Sequence, residues 1–220
     1  MNPVRLYLSN EKKSDSIAVR NDKAEEQRLY VSAYAWRESE EGQMQLTPTT
    51  DLVFYPSMLS LKPGETRKIR VASSRATAAV EATYRIFVEE LPPEGVNSDG
   101  AIRVLTRFGI PIFLRDDRTK SAPQIAVQQK GHSLEVTLEN AGAAHFIAKT
   151  VDLVAKAADG STVFQAELKG WYVLAHSRRV YRFDIPDSAC GKIDQVFVTA
   201  STDVKMARAA LPLHGAACSP

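Results

Sequence analysis

The sequence predicts an all-β protein made of two sandwich domains, and three observations support this fold class. Short runs rich in β-branched and aromatic residues recur along the chain, and several alternate apolar and polar positions with a period of two. Helical periodicity is weak. A polar stretch, "RDDRTKSAP", divides about seven strand candidates from a further seven or eight. We therefore expect two domains of immunoglobulin-like type, residues 1–116 and 117–220.

Polar residues, glycines and prolines separate the strand candidates of the first domain. One such separator, "SLKPGET", predicts a turn, because Pro63 presets φ while Gly64 tolerates the conformation that follows. The candidates are "VRLYLS", "SIAVRN", "QRLYVSAYAWRES", "LVFYPSMLSL", "TRKIRVAS", "ATYRIFVEELPP" and "RVLTRFGIPIFLRDD".

The second domain repeats this pattern. Its candidates are "QIAVQQ", "HSLEVTLEN", "FIAKTVDLVAKA", "TVFQAEL", "GWYVLA", "RRVYRFDIP", "DQVFVTAST" and "ARAALPL". It also holds both cysteines, Cys190 and Cys218, which lie far apart and lack the spacing of a zinc site. Spacing alone leaves open whether they form a disulfide.

The last strand candidate of the first domain contains Pro111. Proline has no amide hydrogen to donate to a neighbouring strand, so it favours an edge, a strand start or a bulge. Alternation places four apolar residues and one threonine on a single face: Ile102, Val104, Thr106, Phe108 and Ile110. Two interpretations stay open at this point, since the face could pack inside its own sandwich or be offered to a partner.

Composition and motifs exclude several functions. The chain is 44% hydrophobic with a net charge of +2, and its basic residues are scattered, so we expect no nucleic-acid partner. No apolar run is long enough for membrane insertion. Hydrolase, phosphate-loop and zinc-protease motifs are absent, and the four histidines lie in loop-like sequence, so we expect no enzyme, cofactor or metal. Polar residues follow Met1 at once, so either the protein is cytosolic or a leader was removed.

The order of the motifs resembles the periplasmic chaperones of the chaperone–usher pathway, which assemble pili and fimbriae. The matching segments cover nearly the whole chain: "PVRLYLSNEKKSDSIAVRNDKAEEQRLYVSAYAWRE", "SLKPGETRKIRV", "YRIFVEELPPE", "RFGIPIFLR", "LEVTLENAGAAHF" and "GWYVLAHSRRVYRFDI". Each segment is weak alone, but their order is jointly specific. The resemblance implies two immunoglobulin-like domains arranged as a boomerang, a periplasmic location with the leader removed, and no catalysis.

The resemblance also implies a mechanism for the strand that contains Pro111. Chaperones of this family insert their last first-domain strand into a pilus subunit that lacks a strand of its own, and pass the subunit to an outer-membrane usher. The face from Ile102 to Ile110 would then be the subunit-binding donor strand. Self-association of the free protein through the same edge is a further expectation.

Two sets of charged residues follow from the family pattern. The family grips the subunit's terminal carboxylate with two cations, one matching Arg5, while Pro111 stands where the other, a lysine, is usual. This departure resembles the archaic or alternative branch, whose clients include spore-coat-U-like subunits, and leaves Arg5, Arg85 and Arg107 as anion candidates.

The second set is an interdomain salt bridge that matches Glu81, Arg115 and Asp203. Periplasmic oxidation would also favour a disulfide between Cys190 and Cys218. The alternative function is a two-domain immunoglobulin-like adhesion or receptor module that binds through loops. A carbohydrate-processing enzyme is disfavoured, since Glu89 and Glu90 diverge instead of converging on one cleft.

Overall fold

The computed structural model describes residues 1–39, 41–92, 104–214 and 218, and the regular secondary structure of these residues is almost entirely β-strand. One 3-10 turn, Asp187–Ala189, interrupts them. Nine strands precede the predicted linker: β1 (Leu6–Leu8), β2 (Ser14–Arg20), β3 (Gln27–Glu38), β4 (Met44–Pro48), β5 (Leu52–Tyr55), β6 (Met58–Leu61), β7 (Thr66–Ser73), β8 (Ala82–Leu91) and β9 (Arg107–Leu114).

Eight strands follow: β10 (Pro123–Lys130), β11 (Ser133–Asn140), β12 (Phe146–Lys156), β13 (Thr162–Lys169), β14 (Tyr172–Val173), β15 (Arg178–Asp184), β16 (Gln195–Thr202) and β17 (Met206–Pro212). The all-β prediction is therefore confirmed. Within the described ranges, no helix has the length and apolarity needed to cross a membrane.

The chain divides into two compact units. The first contains Met1–Arg37 and Gln45–Arg118, and the second contains Glu38–Met44 and Thr119–Pro220. The predicted boundary between residues 116 and 117 lies beside the point where the chain finally leaves the first unit. The sequence did not predict that Glu38–Met44, between two segments of the first unit, belongs to the second unit.

Two sheets form the first unit. The larger has the order β1-β9-β8-β3-β4, with β6 also paired to β3, and the smaller has the order β2-β7-β5. Alternation contributes to the packing, as in β2 and β7, where every second residue toward the end of the strand is apolar and buried. Ile86 and Ile112 of the larger sheet and Ile17 and Ile69 of the smaller one belong to a single buried core.

The turn predicted around Pro63 connects β6 to β7 and is confirmed. The amide of Glu65 donates to the carbonyl of Lys62 at 3.0 Å. Gly64 has φ of +75°, in the left-handed region that glycine adopts without steric cost.

The second unit is also a pair of sheets. One has the order β10-β11-β15, and the other has the order β13-β12-β16-β17, with β14 paired to β12. Its core is separate from that of the first unit and contains fully buried residues such as Leu134, Val136, Phe146 and Val196. Each unit thus buries enough apolar surface to hold its own strands together.

Candidate functional site: the open edge of strand β9

Strand β9 is paired along its whole length on one side and along only part of it on the other. It runs antiparallel to β8 from the pair Glu89↔Arg107 to the pair Ala82↔Leu114. On its other side, β1 pairs in parallel with residues 112–114 alone. Among the described residues, no strand pairs with residues 107–111 on that side. Residues 107–109 are exposed there, while Ile110 and Pro111 are buried, so residues 107–109 are open to a partner.

The side chains beside this open edge are apolar and exposed. Phe108 is 49% exposed, and Val104, just before the strand, is 79% exposed. Thr106 lies between them and is partly buried. An isolated exposed apolar residue is ordinary on a protein surface, but two next to an unpaired strand edge are what edge strands normally avoid.

Ile110 differs from the expectation for the donor face. It is only 4% exposed and packs in the core of the first unit, because β9 enters the sandwich at this point. Ile102, the other end of the predicted face, lies outside the described residues. Within the described part of that face, exposed apolar surface is therefore offered by Val104 and Phe108.

Glu90 holds the beginning of this edge in place. Its amide donates to the Thr106 carbonyl at 2.8 Å, and its carboxylate accepts the Thr106 amide at 3.3 Å. The Lys23 ammonium lies 2.6 Å from the same carboxylate, whose side chain is 4% exposed. Burial raises the pKa of Glu90, but the hydrogen bonds from Lys23 and Thr106 outweigh it, and the net pKa is lowered.

Two of the three anion candidates lie on the other face of the same strands. The Arg85 guanidinium is buried and stacks over Trp36, with 4.2 Å between its carbon and the ring centroid. The Arg107 guanidinium lies 3.9 Å from the Phe87 centroid and pairs with Glu89 at 2.8 Å. Both cations thus already contact an aromatic ring. Arg5, the third candidate, is partly buried just before β1.

Gly109 permits this arrangement. A Cβ at this position would lie 2.9 Å from Cε1 of Phe87 and 3.3 Å from Nη1 of Arg85. The first distance is too short for two carbon atoms, so any other residue would displace the Phe87 ring or shift the strand. Sequence reasoning missed this residue, because its need for glycine arises from a neighbouring strand.

Comparison with protein families identifies the chain. Residues 1–120 match the family described as pili and flagellar-assembly chaperone, PapD N-terminal domain. The chain belongs to this chaperone family. Its members are chaperones and not enzymes, as the sequence predicted.

Solved structures share the fold of this chaperone over nearly its full length. The chaperone in the CsuC–CsuE chaperone–tip adhesion subunit complex of archaic Csu pili from Acinetobacter baumannii has a TM-score of 0.67 at 15% identity, covering 94% of this chain and 95% of that one. CupB2 of Pseudomonas aeruginosa has a TM-score of 0.56 at 14% identity, covering 96% and 97%.

A third similar structure is the SafB chaperone, in complex with the SafA pilin of Salmonella enterica. It has a TM-score of 0.57 at 15% identity, covering 94% of this chain and 93% of that one. No curated protein sequence matches this chaperone. The predicted fold of two immunoglobulin-like domains is confirmed by these likenesses.

The predicted salt-bridge residues fall in different units of the chaperone. Arg115 lies 3.5 Å from Glu81, whose side chain is fully buried, and both belong to the first unit. Asp203 belongs to the second unit, where its carboxylate accepts the Ile147 amide at 2.8 Å. The interdomain role of these three residues stays a prediction.

The two cysteines of the chaperone are joined to each other. The Sγ atoms of Cys190 and Cys218 are 2.04 Å apart, and the bond ties the end of the chain to the second unit. The His132 ring lies beside them, and its ligand nitrogen and the two sulfurs fall within 4.8 Å of one another. Since the sulfurs are bonded together, they are not thiolates and are not metal ligands in this form.

Sequence reasoning also missed Glu38, which is fully buried within the second unit. Its carboxylate accepts hydrogen bonds from the Leu174 amide at 2.9 Å, the Ser177 hydroxyl at 2.7 Å and the Arg179 guanidinium at 3.0 Å. These bonds attach the Glu38–Met44 segment to that unit. No local pattern marks Glu38, because its partners lie more than 130 residues away in sequence.

Proposed function

We propose that this chaperone works in the periplasm, where it completes the fold of pilus or fimbrial subunits by donor-strand complementation and delivers them to an outer-membrane usher. The observation that carries the proposal is the edge of β9 that no described strand pairs at residues 107–111, exposed at residues 107–109 and flanked by the exposed side chains of Val104 and Phe108. A subunit that lacks its own last strand would bond to this backbone and cover these side chains.

Such an edge provides two kinds of binding energy. Main-chain hydrogen bonds hold any extended partner, while alternate side chains enter pockets that select it. Burying the exposed parts of Phe108 and Val104 would contribute roughly 2 to 4 kcal/mol in total, before the cost of ordering the partner. The backbone bonds and the apolar contacts together favour an extended, incomplete β-partner over a small ligand.

The anion candidates fit the proposal unequally. Arg85 is buried against Trp36, so a carboxylate would reach it only beside that ring, whereas Arg107 is exposed but already paired with Glu89. We propose Arg85 as the residue that holds the subunit's terminal carboxylate, in place of the lysine that Pro111 replaces. Unchanged subunit affinity in Arg85→Ala would remove Arg85 from the site.

The environment and the family branch are also part of the proposal. The Cys190–Cys218 disulfide supports an oxidising compartment such as the periplasm. Pro111 supports the archaic or alternative branch. In the absence of a subunit, we propose that a second copy of the chaperone covers the same edge.

Phe108→Asp tests the donor strand, with Phe197→Asp as its matched control. Phe197 is 40% exposed on β16 of the second unit and presents a similar apolar surface to solvent. After periplasmic co-expression, we expect Phe108→Asp to lower the amount of co-purified subunit about ten-fold or more, because a carboxylate would be buried without a partner. We expect Phe197→Asp to leave it unchanged.

Mass spectrometry of the purified complex would count subunits per chaperone, and one is expected. Full subunit recovery with Phe108→Asp, in a variant whose circular dichroism matches the parent, would contradict the proposal. It would favour instead an adhesion-type module that binds through its loops.

A further inference from the structure

The main-chain groups of β9 alternate between its two sides, and hydrogen bonds show which residues face which way. The Glu90 amide of β8 donates to the Thr106 carbonyl just before β9, so even-numbered residues bond to β8. The odd-numbered residues direct their amides and carbonyls to the other side. Arg115, which is also odd-numbered, follows the same alternation: its amide donates to the carbonyl of Leu8 in β1 at 3.1 Å.

The main-chain groups of Pro111 therefore face the side of β9 away from β8, although the residue itself is buried. It is opposite Arg85 in the β8–β9 register, and its position on the strand is the last before β1 begins to pair at Ile112. Proline has no amide hydrogen, so this position has no donor to offer a partner strand. The outward edge thus has amides at Arg107 and Gly109, a gap at Pro111, and β1 beyond the gap.

Alternation alone does not fix where a partner strand stops. A slip of one residue would turn every side chain to the wrong face, but a slip of two residues keeps the faces the same. A partner that slipped by two toward the end of β9 would compete with β1, whose Leu6 and Leu8 are buried in the core. The fold therefore needs a stop between the open and the occupied parts of the edge.

We propose that Pro111 is this stop: it fixes the register of the bound strand and keeps that strand out of the stretch that β1 occupies. The proposal rests on the proposed function, since it takes the occupant to be the extended strand of an incomplete β-sandwich. It assigns Pro111 a positioning role in subunit binding, through the hydrogen bond that the residue withholds. Proline at the same point also discourages β1 from being displaced by any other strand.

Disulfide cross-linking measures the register directly. Thr106→Cys gives the chaperone a single free thiol at this edge, because its two native cysteines, Cys190 and Cys218, are bonded to each other. The probe is a purified pilus subunit with a single cysteine, moved one position at a time along the strand that borders its groove. We expect one subunit position to cross-link when Pro111 is present.

Pro111→Ala in the Thr106→Cys background restores an outward amide. We expect a second cross-linked position two residues away on the subunit, at a yield on the order of one tenth of the first or more. Pro111→Val, which favours strand geometry, should give the same result if the alanine variant folds poorly. Pro123→Ala, at the start of β10 in the second unit, is the matched control and should leave one position.

A single unchanged position in both Pro111 variants, with circular dichroism like that of the parent, would overturn the proposal and assign the stop to β1 itself. Absence of any cross-link in the proline-containing protein would instead contradict the proposed function, so the two failures are distinguishable.

Discussion

The two units treat their sheet edges in opposite ways. In the second unit, the edge strand β13 exposes Gln165, Glu167 and Lys169, and the edge strand β10 exposes Gln124, Gln128 and Lys130. In the first unit, the open part of β9 presents Phe108 and Gly109 beside one charged residue, Arg107. Polar and charged side chains discourage strand addition, so β10 and β13 are better protected from it than the open part of β9.

Charge pairing beside β10 reinforces this contrast. Glu135 of β11 lies 2.6 Å from both Lys130 and Arg182. Hydrogen bonds from Lys130 and Arg182 lower the pKa of Glu135 to about 2, so it stays ionised at any physiological pH. Exposure of an apolar edge in the first unit is therefore a local feature and not a property of the whole chain.

The largest expected effect comes from removing the Cys190–Cys218 disulfide, which lies in the second unit alone. Reduction, or the double variant Cys190→Ala/Cys218→Ala, should destabilise the second unit by about 3 kcal/mol, because the bond closes a loop across a sequence separation of 28. Denaturant unfolding can be monitored in the single-tryptophan variants Trp36→Phe and Trp171→Phe, which leave one reporter in each unit.

The Trp36 signal, from the first unit, should not shift on reduction. Equal shifts at both tryptophans would show that the units unfold together and would break the comparison. The double alanine variant, which has no bond to reduce, is the control for effects of the reductant itself.

A smaller effect is expected at the beginning of the open edge. Glu90→Gln should lower the stability of the first unit by about 1 to 2 kcal/mol, since Lys23 and the Thr106 amide lose a charged acceptor. The folded-state pKa of Glu90 is lowered, so its contribution is present above the unfolded pKa near 4.5 and is lost as the pH falls through the folded value.

Thermal unfolding from pH 7 to pH 3 checks this linkage. The difference between the parent and Glu90→Gln should narrow as the pH falls below 4.5. A difference that is constant over that range would mean that the ionised carboxylate does not stabilise the edge. Glu26→Gln, an exposed carboxylate in the same unit, is the control.

The smallest effect is expected from removing the charges on β13. Glu167→Val with Lys169→Val turns this edge into an apolar one, and we expect weak, concentration-dependent self-association by sedimentation velocity. The matched control is Glu11→Val with Lys13→Val, which removes one acidic and one basic residue from exposed positions outside any strand. Association of the control to the same degree would mean that added hydrophobicity, and not the open edge, is responsible.

Much of the fold could be predicted from the chain. Period-two runs predicted the strands, and Pro63 and Gly64 predicted the turn. Pro111 indicated that one side of its strand would form a sheet edge. The alternating face that contains Val104, Phe108 and Ile110 could be predicted, since alternation is a local property. Its exposure could not: Phe108 and Ile110 look alike in sequence, yet the first is half exposed and the second is in the core.

Local signals in the sequence, namely strand periodicity, turn residues and ordered motifs, were sufficient to predict the two β-sandwiches, the family and the strand that we propose is offered to a partner. Only the tertiary structure decided where β1 stops covering β9, why residue 109 must be glycine, and which buried carboxylates, Glu38 and Glu90, hold distant segments. These depend on residues far apart in the chain that meet only when the sheets assemble, and no local pattern encodes such a meeting.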